Sequence, residues 1–246
     1  MRPLSDARIL LQFARGQRGK GGHSERLQRF YAPQAARYDA FRDGMLHGRQ
    51  TLIDALAPPP GARVIELGGG TGRNLDFLGP RMLSLEYVEI VDLCPALLEE
   101  AQKRARRWPD VARVIHADAC EYRPPHPVDC VYFSYSLSMI PDWRVALSNA
   151  TRMLRPGGLL GIVDFYVSRA DPPPGFVKHG PLTRAIWPRW FRHDGVRLDP
   201  EHLHTAGQLT DAVALSERRG ALPYLAGVTV PYYLYVGRKR GTCDGA

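Results

Sequence analysis

Cysteine, lysine and long apolar runs are all scarce in this sequence. Its four cysteines form no Cys-x-x-Cys pair and show no cysteine–histidine spacing typical of zinc, so we predict no metal site and a reducing compartment. No segment approaches the roughly 20 apolar residues that a membrane span needs. The first residues also contain no uninterrupted apolar stretch of signal-peptide length. We therefore expect a cytoplasmic protein that contacts membranes only peripherally, on the cytoplasmic face.

The composition is that of an ordinary globular chain with an excess of positive charge. Of its 246 residues, 44% are apolar and 24% charged, which excludes a disordered chain, a collagen and a disulfide mini-protein. Thirty-three basic against 25 acidic residues give a net charge of +8. That charge favours anionic partners such as nucleic acid, acidic lipid or a phosphorylated substrate. Nearly all the basic residues are arginine, so codon bias is an alternative explanation.

The order of apolar patterns predicts an α/β fold with a helical region in front of it. We expect a helical lid over residues 1–60 and a second domain over residues 61–246, with an insertion near 166–199 that faces substrate or membrane and is irregular at 171–175. The predicted helices are 4–13, 24–37, 44–57, one beginning at 73, 95–107, 142–154 and 200–207. The predicted strands are 63–67, 86–91, 112–116, 128–133, 159–164, 209–216 and 231–236. Since no clear helix separates the last two strands, we expect the final strand to be antiparallel in a mostly parallel sheet.

A glycine-rich turn follows the first predicted strand, and an acidic residue precedes it. Glycines let the backbone pass close to a ligand, and dinucleotide folds use a G-x-G-x-x-G turn there to bind a pyrophosphate. Here the spacing is G-x-G-x-G, after Glu66. A carboxylate would repel a pyrophosphate but suits the α-ammonium of S-adenosylmethionine. A plain tight turn is the alternative interpretation.

Two aspartates occupy the corresponding positions after the next two strands. Asp92 ends the second strand, where an acidic residue can accept hydrogen bonds from both ribose hydroxyls. Asp118 follows the third strand, where a carboxylate can accept from an adenine amino group. Either aspartate alone is more often a helix cap or a solvated turn. All of them together predict a nucleoside site at the carboxyl edge of the sheet.

This set, with Arg155-Pro156-Gly157-Gly158, resembles the class I S-adenosylmethionine-dependent methyltransferases over residues 61–164. The resemblance implies a Rossmann-like fold with a seven-stranded sheet, S-adenosylmethionine as cofactor and S-adenosylhomocysteine as product. The residues that it implies for the cofactor are Gly68, Gly70 and Gly72 at the methionine portion, Asp92 and Leu93 at the ribose, Asp118 and Ala119 at the adenine, and Ser134 near the methyl group.

A second resemblance extends over about residues 25 to 240. Unusual blocks at 29–35, 38–39, 46–49, 92–95, 133–143, 163–168, 223–225 and 230–239 are similar to the methyltransferase half of betaine-lipid synthesis. That family trimethylates the amine of diacylglyceryl-homoserine. The aminocarboxypropyl-transferase half is absent from this sequence, so the resemblance implies a separate enzyme that supplies the lipid substrate.

The predicted lid carries four side chains that suit the acceptor. Arg49 could pair with the carboxylate of the cofactor or of homoserine. An ammonium cannot attack a methyl group, so each round needs a proton acceptor: Asp39, His47, a tyrosine such as Tyr38, or water. Ordinary surface polarity is the alternative interpretation of each of them.

Aromatic residues later in the chain suggest an acceptor pocket and a lipid surface. Tyr135, Tyr166 and Tyr232 could stabilise a quaternary ammonium through their ring faces, or they could be core residues, as at least one of the neighbouring pair Tyr232 and Tyr233 should be. An arginine-rich aromatic stretch suits an anionic membrane, while core packing and nucleic-acid contact are alternatives. The stretch covers residues 182–192, and its candidate contact residues are Trp187, Trp190 and Arg192.

Two other functions compete with betaine-lipid synthesis. One is methylation of another small molecule, such as a quinone precursor. The other is a basic, non-catalytic nucleic-acid-binding protein on this fold. Amino-methyltransferases of nucleic acids often carry an Asn/Asp-Pro-Pro-Tyr/Phe box after the fourth strand, where this chain has Phe133-Ser134-Tyr135-Ser136. We therefore expect no nucleic-acid partner.

Overall fold

The computed structural model describes residues 22–32, 39, 43–192, 195–222 and 227–241. The helices are α1 (His23–Tyr31), α2 (Arg49–Leu56), α3 (Asn74–Leu78), α4 (Pro95–Ala105), α5 (Trp143–Met153), α6 (Pro181–Arg192) and α7 (His202–Leu209), with 3-10 turns at Gly79–Ser84 and Leu137–Met139. The strands are β1 (Arg63–Leu67), β2 (Tyr87–Asp92), β3 (Ala112–His116), β4 (Val128–Ser134), β5 (Leu154–Phe165), β6 (Thr210–Ala221) and β7 (Thr229–Lys239).

The seven strands form one sheet in the order β3-β2-β1-β4-β5-β7-β6. Strands β1 to β5 pair in parallel, and β7 runs antiparallel to both of its neighbours, β5 and β6. The predicted Rossmann-like sheet with an antiparallel last strand is therefore confirmed. Since β1 lies between β2 and β4, strand addition reverses direction beside β1. Open α/β sheets bind ligands at the carboxyl ends of the strands at such a reversal.

Successive residues of β1 point into two different cores because side chains alternate along a strand. Val64 packs in a cluster with Leu52 of α2, and Ile65 packs in a second cluster with Leu147 of α5. Residues 64–67 are all buried as a result. Burial on both faces explains why β1 appears in the sequence as a short continuous apolar run interrupted only by Glu66.

The predicted insertion over residues 166–199 contains a helix that the sequence did not predict. Helix α6 lies within it, and Pro188 is inside the helix, where proline normally disrupts the backbone. Trp187 and Phe191, one turn apart, are buried, and the Phe191 ring lies 4.7 Å from that of Phe165. This packing stabilises the helix although Pro188 lies inside it.

Helix α2 begins later than the sequence predicted, because a glycine precedes it. Gly48 has φ +79° and caps α2, which begins at Arg49 rather than at 44. The strand β5 in turn begins at Leu154, five residues before the predicted start, because it pairs with Val128 of β4. The predicted helix over 4–13 lies outside the described residues. None of the described helices has the length and apolar character needed to cross a bilayer.

Candidate active site

The glycine turn after β1 has a backbone that only glycine adopts easily. Gly68, Gly70 and Gly72 have φ values of 69°, 54° and 66°. A Cβ on Gly68 would lie 2.5 Å from the Cβ of Ser136, so the turn also passes close to the loop after β4. The amides of Gly68 and Gly69 donate to the carbonyl of Val91 at 2.8 and 3.1 Å. The turn is thus hydrogen-bonded to β2 on one side and packed against the β4 loop on the other.

Asp92 at the end of β2 also fastens the turn. Its carboxylate accepts hydrogen bonds from the backbone N–H of Gly70 at 2.9 Å and of Cys94 at 2.8 Å. Burial raises the pKa of Asp92, and these two amides act against the rise. Because a carboxylate has about four acceptor positions, Asp92 keeps capacity for a ligand hydroxyl.

Asp118 and Ala119 lie at the far end of the same cleft. The Asp118 carboxylate accepts from the backbone N–H of Cys120 at 2.7 Å. The Ala119 carbonyl accepts from the side-chain amide of Asn149 at 2.8 Å, which ties this loop to α5. Leu93 also lines the cleft, next to Asp92.

Glu66 is buried beneath the glycine turn, with 2% of its surface exposed. Its carboxylate accepts hydrogen bonds from the amide of Asn74 at 2.6 Å and the hydroxyl of Tyr132 at 3.0 Å. Burial raises the pKa of Glu66 to about 7, against the effect of these two donors. Glu66 is therefore a carboxyl group whose charge a nearby cation would stabilise.

One cleft brings together most of the residues that the sequence singled out. It has about 1100 Å³ of empty volume including its open mouth, enough space for a nucleoside-sized ligand. The predicted residues that line it are Asp39, Arg49, Glu66, Gly68, Gly70, Asp92, Leu93, Asp118, Ala119, Ser134 and Tyr135. Gly72 does not line it: a Cβ there would lie 3.4 Å from the Cβ of Ala101, so Gly72 allows close packing of the turn on α4.

Asp39 and Arg49 reach the cleft from the segment before β1. The Asp39 carboxylate accepts from the hydroxyl of Thr71 and from Arg104, both at 2.7 Å. Arg49 is 7% exposed and donates to the carboxylate of Asp43 and the carbonyl of Leu46. Both side chains therefore have partners that hold them at the edge of the glycine turn.

Ser134 and Tyr135 line the cleft at the end of β4. The buried hydroxyl of Ser134 has no hydrogen-bond partner within the described part of the chain. Tyr135 has φ 55°, a strained value for a tyrosine. Its hydroxyl donates to the His47 carbonyl at 2.6 Å, and its ring lies 4.6 Å from that of Phe165. Strain of this kind occurs where surrounding contacts over-determine a functional residue.

Three predicted acceptor residues lie outside the cleft. The His47 imidazole bonds the Ala221 carbonyl at 2.9 Å and stacks against Tyr232 at 6.0 Å. Tyr166 lies on the other face of the sheet, where its hydroxyl donates to Glu217. The structure therefore brings neither the proposed proton acceptor His47 nor the tyrosines Tyr166 and Tyr232 into the cleft that Tyr135 lines. Successive residues at the end of β5 point opposite ways, and Phe165, not Tyr166, packs against Tyr135.

The remaining predicted residues separate into buried and exposed groups. Trp187 is buried, whereas Trp190 and Arg192 are exposed, and all three lie outside the cleft. Tyr233 is fully buried, as expected for one of the two neighbouring tyrosines. Tyr38 lies outside the described residues.

Sequence reasoning missed several residues that line the cleft. They are Leu27, Tyr31, Thr71, Asn74, Met139 and Asp142, among others. The sequence could have indicated Asn74, because this residue begins the helix that follows the glycine turn. Thr71 lies inside the glycine turn itself, and Met139 and Asp142 lie in the block 133–143, whereas Leu27 and Tyr31 come from a distant helix and carry no local signal.

Helix α1 covers the cleft edge beside Asp92. Leu27 and Tyr31 pack with Cys94 and Leu97, and the Gln28 side chain accepts from the backbone N–H of Ala96 at 3.1 Å. These contacts fit the predicted lid over residues 1–60, which stays a prediction.

The described residues fit S-adenosylmethionine. Acceptors for ribose and adenine lie at the ends of β2 and β3, and a buried carboxyl lies under the glycine turn. The unpartnered hydroxyl of Ser134 also points to a ligand there.

Comparison with known proteins supports this interpretation. Residues 65–160 match the family described as "Methyltransferase domain". The ubiquinone/menaquinone biosynthesis C-methyltransferase UbiE of Roseobacter denitrificans is 27% identical over 154 residues, 59% of this chain and 61% of the relative. The protein of that name from Vibrio cholerae is 31% identical over 147 residues, 56% of each. The chain thus spans about three fifths of the length of the curated relatives that it matches.

Solved structures share the fold over most of the chain. The N-methyltransferase NodS from Bradyrhizobium japonicum WM9, in complex with S-adenosylhomocysteine, has a TM-score of 0.66 at 16% identity and covers 90% of this chain and all of its own. The phosphoethanolamine N-methyltransferase 2 of Haemonchus contortus, with S-adenosylmethionine, has a TM-score of 0.67 at 16% identity, covering 91% of this chain and 61% of its own.

The matched domain, the sheet order and the glycine turn define the class. Residues 65–160 match the methyltransferase-domain family, and the sheet that holds them has the fold of class I S-adenosylmethionine-dependent methyltransferases. The chain's cofactor is S-adenosylmethionine, and the acceptor of the methyl group is a separate question.

Proposed function

We propose that this protein is an N-methyltransferase that trimethylates the homoserine amine of diacylglyceryl-homoserine, producing a betaine lipid. The observation that carries the proposal is that Arg49 and Tyr135 line one cleft together with the cofactor residues. An arginine suits a carboxylate, and a tyrosine ring suits a methylated ammonium. A homoserine head group presents both charges.

For the cofactor, we assign each part to the nearest suitable residues. Asp92 and Leu93 hold the ribose, Asp118 and Ala119 meet the adenine, and Glu66 faces the α-ammonium. When bound, S-adenosylmethionine supplies a methyl group already activated on a sulfonium. The protein therefore needs to align the acceptor amine with it rather than to activate it further.

The acceptor amine would lie on the Tyr135 side of the cleft. Arg49 is close enough to Tyr135 to oppose the rise in the pKa of its hydroxyl, which burial raises well above the ordinary value. Tyr135 is thus a neutral aromatic wall beside a fixed cation. We assign acceptance of the amine proton to Asp39, which lines the cleft and to which Thr71 and Arg104 already donate.

Arg49 can serve either carboxylate, and one variant distinguishes the two. If Arg49 binds the homoserine carboxylate, Arg49→Gln raises KM for the lipid and leaves the cofactor Kd unchanged. If it binds the cofactor carboxylate, the Kd itself rises. Calorimetry with S-adenosylmethionine alone separates these outcomes.

A second candidate is C-methylation of a quinone precursor, because the curated relatives named above carry that name. An experiment with both acceptors decides between them. The purified protein is given methyl-labelled S-adenosylmethionine and an equal mixture of diacylglyceryl-homoserine and a demethylated quinone precursor. We expect the label in the betaine lipid, and label in the quinone alone would overturn the proposal.

The lipid substrate implies a partner reaction and a site of action at a membrane. A separate aminocarboxypropyl transferase must supply diacylglyceryl-homoserine. Cells that make no betaine lipid should therefore produce it when both enzymes are expressed, and not with this protein alone.

A further inference from the structure

Helix α6 exposes a row of large apolar side chains to solvent. Leu182, Ile186 and Trp190 are 74%, 52% and 54% exposed, and they follow one another at four-residue spacing. Side chains four apart lie on the same face of a helix. We call these three residues the α6 stripe. An exposed row of this kind on one helix marks a contact surface.

The opposite face of α6 fixes the stripe to the acceptor side of the cleft. Trp187 and Phe191 are buried, and Phe191 packs against Phe165, which in turn packs against Tyr135. After the helix, the backbone N–H of Arg197 donates to the carbonyl of Ser138, in the loop beside the cleft, at 2.7 Å. The helix that carries the stripe is therefore linked through Phe191 and Phe165 to Tyr135 in the cleft.

Positive charge surrounds the stripe. Arg189 and Arg192 are exposed on the same helix. The sequence from 172 to 193 contains no aspartate or glutamate, and it also carries Lys178 and Arg184. Apolar side chains flanked by arginines, with a tryptophan among them, are complementary to the head-group region of an anionic bilayer.

We propose that the α6 stripe docks this protein onto an anionic lipid surface, with Leu182, Ile186 and Trp190 entering the head-group boundary and the arginines contacting lipid phosphates. This deepens the proposed function and rests on it for its purpose, since docking would bring the lipid head group to the cleft. It also reassigns the predicted membrane contact, because Trp187 faces the core and Leu182 and Ile186 face outward.

The test is co-sedimentation of the full chain with phosphatidylcholine vesicles that contain about a third phosphatidylglycerol. The triple variant Leu182→Ser, Ile186→Ser, Trp190→Ser should bind these vesicles at least about tenfold more weakly, since it loses the insertable apolar surface. The matched control, Leu83→Ser, Val145→Ser, Val213→Ser, removes exposed apolar residues from other elements and should bind like wild type. Both variants should keep the cofactor Kd of wild type.

A second pair of measurements tests the charge. Added salt should weaken binding of the wild type, and Arg189→Gln with Arg192→Gln should reduce its preference for anionic over neutral vesicles, because Lys178 and Arg184 remain. The proposal is overturned if the triple variant binds as tightly as wild type or if the control loses as much. It is also overturned if the wild type is a dimer that the triple variant converts to a monomer, because the stripe then covers a second copy. Vesicle binding is measured without any acceptor, so its failure is distinguishable from failure of the proposed reaction.

Discussion

The carboxylate of Asp92, at the end of β2, accepts a hydrogen bond from the backbone N–H of Gly70, in the turn after β1, at 2.9 Å. One side chain thus shapes the glycine turn and faces the cleft. Asp92→Ala should weaken S-adenosylmethionine binding by about 1.5–3 kcal/mol, the scale of hydrogen bonds lost to a charged group. Calorimetry on the folded variant measures this loss.

Asp110→Ala serves as the control for that measurement, because Asp110 is an exposed aspartate outside the cleft. It should bind the cofactor like wild type. Unchanged affinity in a folded Asp92→Ala protein would remove Asp92 from the site.

Two glycines with similar backbone angles should respond differently to alanine. Gly68 has φ 69° and its Cβ would meet Ser136, whereas Gly61 has φ 76° and open space around it. Gly61→Ala should lower the free energy of unfolding by about 1–2 kcal/mol, the cost of a left-handed alanine, and leave cofactor binding unchanged. Gly68→Ala should cost more and also weaken binding. Denaturant unfolding and calorimetry report the two effects, and equal cofactor affinity in both variants would argue against a ligand at this turn.

Glu66 predicts how cofactor binding depends on pH. Burial raises its pKa from 4.5 to about 7, so below that pH the carboxyl of the free protein is mostly protonated. A cationic ligand group favours the carboxylate, so affinity should fall as pH falls through 7, by up to about tenfold per unit. Glu66→Gln should bind more weakly and lose this dependence. A wild-type Kd that is the same about one unit above and below pH 7 would contradict the ammonium contact.

Tyr135 and Tyr166 give a matched test of whether the Tyr135 ring contacts the acceptor amine. Both are buried tyrosines, but only Tyr135 lines the cofactor cleft. A ring face favours the methylated cation by about 0.5–2 kcal/mol, so Tyr135→Leu should accumulate mono- and dimethylated lipid, and Tyr135→Phe should not. Tyr166→Leu should keep the wild-type product ratio even if it is slower. If mass analysis finds the same ratio of methylated products in both leucine variants, Tyr135 packs in the core and does not contact the amine.

The sequence predicts most of the parallel half of the sheet because its signals there are local. Strands 63–67 and 112–116 have the predicted bounds, since apolar runs and neighbouring turn residues define both ends. Asp92 and Asp118 follow directly, because the ends of parallel strands meet at one edge of the sheet.

Long-range packing decides what the sequence does not predict. His47 lies between Leu46 and Arg49, which both line the cleft, yet its ring turns to the carbonyl of Ala221 on the distant strand β6. Helix α6 forms through burial of Trp187 and Phe191 in spite of its prolines. For Tyr166, by contrast, the alternation of side chains along β5 was a usable local signal.

The most direct test of the central claim is mass analysis of lipid after incubation of purified protein with S-adenosylmethionine and diacylglyceryl-homoserine. A hydrophobic pocket discriminates acceptors that differ by one methyl by only about 1–3 kcal/mol, so one site should accept the primary, secondary and tertiary amine in turn. The account predicts that three methyl groups are added and that S-adenosylhomocysteine is released at each step. An unmethylated lipid, recovered beside protein that binds S-adenosylmethionine, would contradict it.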